Sequence, residues 1–127
     1  MSKFHSERFV TLVDDAKTRI EEITPEEVNK KLESEEDLVL LDVREKSEWK
    51  QSRIAGADYL GKGVIERDIE TEYPDTDQDI VLYCGGGYRS ALAADNLQKM
   101  GYNDVKSLAG GFRSWTEAGL PIKKDGG

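Results

Sequence analysis

A strand, a glycine-rich loop and the start of a helix follow one another without interruption in the segment Ile80-Val81-Leu82-Tyr83-Cys84-Gly85-Gly86-Gly87-Tyr88-Arg89-Ser90. Residues 80–83 are the apolar or β-favouring residues of a buried strand. Residues 91–100 then place apolar side chains at helical spacing, and Gly101 is typical of a helix end. The segment therefore predicts one strand-to-helix unit of a parallel sheet.

The loop of this unit holds the only cysteine of the chain, at the carboxyl end of the strand. Ligands of open α/β sheets bind outside the carboxyl ends of the strands. Three consecutive glycines let successive backbone N–H groups point into one concavity, and the following helix adds its positive dipole end, so an anion is expected there. Because a helix N-terminus favours the thiolate form of a cysteine, Cys84 is predicted to be a nucleophile rather than an inert core residue.

Two further side chains of the loop have alternative interpretations. Arg89 either orients an incoming anion or forms a structural ion pair with an acid such as Asp42. Tyr88 either contacts the substrate or shields the loop from water.

The pattern outside the loop predicts an α/β fold with helices on both faces of a parallel sheet. Thr24-Pro25-Glu26-Glu27 has the form of a capping box at the start of a helix that runs to Glu33. Further elements are expected at residues 6–20 (helix), 37–43 (strand), 45–51 (helix), 57–60 (strand), 64–73 (helix), 105–108 (strand) and 112–118 (helix). The predicted organisation is an N-terminal helical extension over residues 1–21, a domain over residues 22–122 and a flexible tail over residues 123–127. The extension is expected to cover part of the core, with His5 as a solvated side chain.

Composition excludes several classes of function. The 127 residues include 18 Lys and Arg against 26 Asp and Glu, a net charge of −8 that argues against nucleic acid as a partner. One cysteine and one histidine cannot form a zinc site or a disulfide, and no metal is expected. The longest aliphatic run is Leu38 to Leu41, far too short for a membrane span, and no secretory signal is visible. We expect a cytoplasmic protein, monomeric by default.

Four ordered motifs over roughly residues 23–122 resemble those of single-domain rhodaneses. They are Leu40-Leu41-Asp42-Val43-Arg44-Glu45 with Glu48-Trp49, Ile54-Ala55-Gly56-Ala57, Tyr83-Cys84 with Gly87 and Arg89-Ser90, and Leu108-Ala109-Gly110-Gly111-Phe112 with Trp115 and Gly119-Leu120-Pro121. The resemblance implies a rhodanese-like fold, with a central, mostly parallel five-stranded sheet. It also implies a sulfurtransferase without a cofactor. In that activity Cys84 takes a sulfane sulfur from a donor, thiosulfate or a small-molecule or protein persulfide, and passes it to a thiol or to cyanide.

The resemblance also assigns roles within the site. The backbone N–H groups of Gly85, Gly86, Gly87, Tyr88, Arg89 and Ser90 are the predicted stabilisers of an anionic persulfide. Asp42 and Arg44 are expected near the pocket as supporting residues, with Arg44 in an ion pair with Asp42 or Glu48. Trp49, Phe112 and Trp115 are expected to pack in the core rather than to line the site.

Other functions stay open at this stage. The loop from Cys84 to Arg89 has six residues, a length that the family associates with sulfur transfer, whereas phosphatases and arsenate reductases of the same fold have one more. Because Gly85 to Gly87 supply no basic side chain, a persulfide on a small thiol or on a partner protein is favoured as the donor over thiosulfate. The alternatives are a cysteine-dependent phosphatase or arsenate reductase, a non-catalytic binding module, and a sulfur carrier for one dedicated partner protein.

Overall fold

A computed structural model of the protein describes residues 5–124. Its elements in chain order are α1 (Glu7–Lys17), β1 (Glu21–Ile23), α2 (Pro25–Glu33), β2 (Leu38–Asp42), α3 (Lys46–Gln51), β3 (Arg53–Ile54), β4 (Asp58–Tyr59), α4 (Ile65–Glu72), β5 (Asp79–Tyr83), α5 (Tyr88–Lys99), β6 (Val105–Leu108), α6 (Gly111–Glu117) and β7 (Ile122–Lys123). Among the helices of this part of the chain, none has the length and apolar content needed to cross a membrane.

Five strands form one sheet in the order β1-β6-β5-β2-β4, and every neighbouring pair is parallel. The predicted five-stranded, mostly parallel sheet with helices on both faces is thereby confirmed. Side chains of β5 alternate between the two faces, because successive residues of a strand point in opposite directions. Ile80 and Leu82 pack in one apolar cluster with α4 and α5, whereas Val81 and Tyr83 pack in another with α2 and α6.

The helix starts follow local signals in the sequence. The capping box of α2 is formed as predicted: the Glu27 N–H donates to the Thr24 hydroxyl oxygen, and the Thr24 N–H donates to the Glu27 carboxylate, each at 3.2 Å. The first helix is shorter than the predicted 6–20, since it ends at Lys17 and the chain then turns into β1.

Three short strands were not predicted. The edge strand β1 pairs with β6, so the predicted boundary between residues 21 and 22 falls inside a strand. β3 and β7 form a separate two-stranded antiparallel sheet, in which Arg53 pairs with Lys123. Lys123 is therefore part of this sheet rather than of a tail beginning at residue 123, a correction to the prediction. The remainder of the predicted tail, residues 125–127, lies outside the described residues.

Candidate active site

Cys84 lies directly after the central strand β5, with its side chain almost completely buried. Its sulfur accepts hydrogen bonds from two backbone N–H groups, with N–S distances of 3.2 Å for Gly87 and 3.4 Å for Ser90. Ser90 stands in the first turn of α5, where backbone N–H groups have no partner within the helix. Two main-chain donors and a helix N-terminus therefore converge on one sulfur atom, an arrangement that favours negative charge there.

The carbonyl groups of the loop are held away from this sulfur by α6. The N–H of Phe112 donates to the Cys84 carbonyl oxygen at 2.8 Å, and that of Arg113 donates to the Gly85 carbonyl oxygen at 3.0 Å. The close approach of α6 to the cysteine loop requires glycine at position 111. There φ is +60°, and a Cβ would lie 2.8 Å from the carbonyl carbon and oxygen of Gly85. The cysteine loop and the start of α6 thus interlock through backbone atoms.

Two buried hydroxyl groups extend the contacts of the sulfur. The Ser90 Oγ lies 3.5 Å from the Cys84 Sγ and 2.8 Å from the Ser107 Oγ, and both serines are fully buried. If Ser107 donates to Ser90, the Ser90 hydroxyl is free to donate to the sulfur. Ser107 carries no sequence signal of a site residue, because it reaches the site only through the pairing of β5 with β6.

Asp42 and Arg44 form a buried pair beside the cleft. The Arg44 side chain donates to both Asp42 carboxylate oxygens at 2.7–3.0 Å and to the Ser52 carbonyl oxygen at 2.6 Å. Burial opposes the charged guanidinium, but the hydrogen bonds and charge of Asp42 outweigh burial and raise the pKa of Arg44. Of the two predicted partners of Arg44, the structure shows Asp42. The guanidinium carbon also lies 4.3 Å from the centre of the Phe112 ring, so this pair supports one wall of the cleft.

Arg89 pairs with Glu48 and not with Asp42. Its Nη1 lies 3.4 Å from the Glu48 Oε1, and both side chains are about one-third exposed (34 % and 38 %). A partly exposed ion pair at this distance is weak, so the guanidinium remains available to an anion in the cleft.

A cleft of about 920 Å³ lies over Cys84, between the cysteine loop, α1 and α6. Phe112 lines this cleft, which corrects the prediction that it packs only in the core. His5, expected to be solvated, lines it too and lies against Tyr88, with 4.3 Å between ring centres. Trp115 is fully buried as expected, whereas Trp49 is only partly buried. Within residues 5–124, no group of three or more His, Cys, Asp or Glu side chains is placed to hold a metal ion.

Comparisons with known proteins agree on the family. Residues 24–118 match the family model of the rhodanese-like domain. A sulfurtransferase of Allochromatium vinosum is 37 % identical over 103 residues, which cover 81 % of this chain and 94 % of that protein. A protein of unknown function from Rhodopseudomonas palustris, described as a possible tyrosine phosphatase, superposes with a TM-score of 0.82 at 32 % identity over 97 % of this chain and 99 % of its own. The polysulfide-sulfur transferase homodimer of Wolinella succinogenes superposes with a TM-score of 0.79 at 26 % identity over 94 % of this chain and 89 % of its own.

Proposed function

This chain belongs to the rhodanese-like domain family with a sulfurtransferase-type function, and we propose that it carries a sulfane sulfur as a persulfide on Cys84. The observation that carries this proposal is the convergence of the Gly87 and Ser90 N–H groups on the Cys84 sulfur. Such hydrogen-bond donors stabilise the Cys84 thiolate, which attacks the molecule that supplies the sulfur. They also stabilise the anionic persulfide that results.

The reaction has two sulfur transfers. In the first, the Cys84 thiolate attacks the outer sulfur of a donor persulfide; the new S–S bond forms as the donor's S–S bond breaks, and the donor leaves as a thiolate. In the second, an acceptor thiolate attacks the outer sulfur on Cys84, and the Cys84 thiolate is restored. One sulfur atom moves in each step with no net oxidation. Because the donor leaves before the acceptor reacts with the persulfide on Cys84, the scheme is ping-pong. Because the chain has one cysteine, the acceptor thiol comes from another molecule.

We favour a persulfide over thiosulfate as the donor. The three residues that follow Cys84 are glycines, which supply no positively charged side chain beside the sulfur. The net charge of the chain is −8, so a small dianion gains little from long-range attraction.

Intact mass spectrometry tests the persulfide directly. The protein is measured before and after glutathione persulfide or thiosulfate, and again after cyanide, with Cys84→Ser as the matched control. We expect the wild-type protein alone to gain one sulfur, about 32 Da, and cyanide to remove it. Failure to retain sulfur from these two donors and from a protein persulfide would refute the proposal.

A phosphatase is the second candidate, because the similar protein of Rhodopseudomonas palustris is described as a possible tyrosine phosphatase. Hydrolysis of an aryl phosphate distinguishes the two functions. We expect little hydrolysis by the wild-type protein. Rapid hydrolysis that Cys84→Ala abolishes would favour the phosphatase instead.

A further inference from the structure

His5 and, in α1, Phe9 bring aromatic side chains to the cleft from outside the part of the chain that matches the family. The match begins at residue 24, whereas α1 spans Glu7–Lys17. The rings of His5, Phe9 and Tyr88 lie together, with centres 4.3 Å apart for His5 and Tyr88, 5.9 Å for Phe9 and Tyr88, and 5.4 Å for His5 and Phe9. All three residues line the cleft that holds Cys84. We call these three residues the aromatic wall.

The C-terminal half of α1 is fixed to the domain, and Phe9 of the aromatic wall lies near the start of the same helix. Val13 and Ala16 are buried, and α1 packs against α5. Just beyond the helix, the Arg19 guanidinium donates to both carboxylate oxygens of Asp95 on α5, at 2.8 and 3.0 Å. The wall is therefore held in place at the cleft by packing and by a bidentate ion pair.

The rest of the cleft lining carries groups of both charges. Phe112 contributes a ring, while Arg89 and Glu48 contribute a partly exposed cation and anion. Arg113 also lines the cleft, and its guanidinium forms no ion pair among residues 5–124. The cleft volume of about 920 Å³ is in the range of sites for organic ligands. A thiosulfate ion has a handful of atoms and no apolar surface, so it would leave the aromatic wall without a contact.

We propose that this cleft binds the organic part of a small, zwitterionic thiol persulfide, and that Phe9 and His5 determine the specificity for it. The carbon chain of such a molecule packs on the aromatic wall. Its carboxylates face Arg113 and Arg89, its ammonium group faces Glu48, and its persulfide reaches Cys84. This inference rests on the proposed function and names the substrate class of the same site.

Donor-dependent kinetics test the role of the wall. Phe9→Ala is compared with Leu12→Ala, a matched truncation on the same helix at a side chain that is 55 % exposed. We expect Phe9→Ala to raise KM for glutathione persulfide about five- to tenfold more than it changes KM for thiosulfate, with kcat less affected. Leu12→Ala should change neither KM. An equal effect of Phe9→Ala on both donors, or no effect on either, would overturn the inference.

Equilibrium binding separates this inference from the sulfur chemistry. Unreactive S-methylglutathione is titrated calorimetrically into wild-type protein, Cys84→Ser and Phe9→Leu, the last of which keeps an apolar side chain in α1 but lacks the ring. We expect binding to the first two proteins and weaker binding to Phe9→Leu. Binding without any sulfur uptake from either donor or from a protein persulfide would refute the proposed function and leave the ligand class supported. Sulfur uptake without binding of S-methylglutathione would overturn the proposed ligand class but not the proposed function. Uptake of sulfur from a protein persulfide, with no uptake from glutathione persulfide, would have the same meaning.

Discussion

Replacing Gly111 by alanine tests whether the cysteine loop depends on its interlock with α6. A Cβ at this position would lie 2.8 Å from the carbonyl carbon and oxygen of Gly85, and closer still to the carbonyl oxygen of Cys84. These atoms belong to the backbone, so no flexible side chain can move aside. The backbone must shift, and the N–H donors of the loop must shift with it.

Two costs add up in this variant. Alanine in the left-handed region, here at φ +60°, costs about 1–2 kcal/mol. Overpacking against rigid neighbours adds about 1–3 kcal/mol. The sum of about 2–5 kcal/mol is a large part of the usual stability of a domain, so Tm should fall by roughly 8–20 °C. Sulfur uptake should slow as well, since the donors around Cys84 are displaced.

Gly119→Ala is the matched control. Gly119 has φ +72°, and a Cβ there would meet nothing within 4 Å, so only the conformational cost applies. Urea unfolding followed by tryptophan fluorescence compares the two variants, with the buried Trp115 as a probe inside α6. We expect Gly111→Ala to be less stable than Gly119→Ala by about 1–3 kcal/mol. Equal free energies of unfolding would refute the interlock, as would an unchanged rate of sulfur uptake in Gly111→Ala.

Further measurements probe the polar contacts. Asp42→Asn leaves the buried Arg44 guanidinium without its anion and should lower the free energy of unfolding in urea by about 3–5 kcal/mol; a change below about 0.5 kcal/mol would contradict the buried pair. Ser107→Ala removes the partner of the buried Ser90 hydroxyl and should cost about 1–3 kcal/mol in the same assay, with wild-type stability as the contrary result. The hydrogen bond from Arg19 lowers the pKa of Asp95, so this carboxylate stabilises the fold above its unfolded pKa of about 3.9, and that contribution disappears as pH falls through the lower folded pKa. Urea midpoints at a series of pH values from about 6 to 2 should therefore fall more steeply for wild-type protein than for Asp95→Asn, and equal slopes would contradict a role for this pair.

Elements with strong local signals could be predicted from the sequence. The apolar run of β5 and the capping box of α2 each specify a structure through neighbouring residues alone. The strands β1, β3 and β7 have only two or three residues, too few to show an alternating pattern. They form because distant segments provide pairing partners, as β6 does for β1.

In the candidate site, too, some residues could be predicted from the sequence and others could not. Cys84 and its glycines are consecutive residues, so the loop could be located from the sequence. The partner of Arg89 could not be predicted. Glu48 belongs to a separate helix, and the spacing of the two residues in the sequence does not show that their side chains lie close together. Phe9 lies far from Tyr88 in the sequence, and only the packing of α1 on α5 brings the two rings together.

Cys84 follows β5, the middle strand of the five, which is hydrogen-bonded to β2 on one side and to β6 on the other. Amide protons of such a strand exchange with solvent only when the whole domain unfolds, whereas a terminal helix attached by side chains exchanges through local opening. We therefore expect α1 and β5 to differ widely in hydrogen-exchange protection. Local opening of α1 should then leave Cys84, at the end of β5, in place.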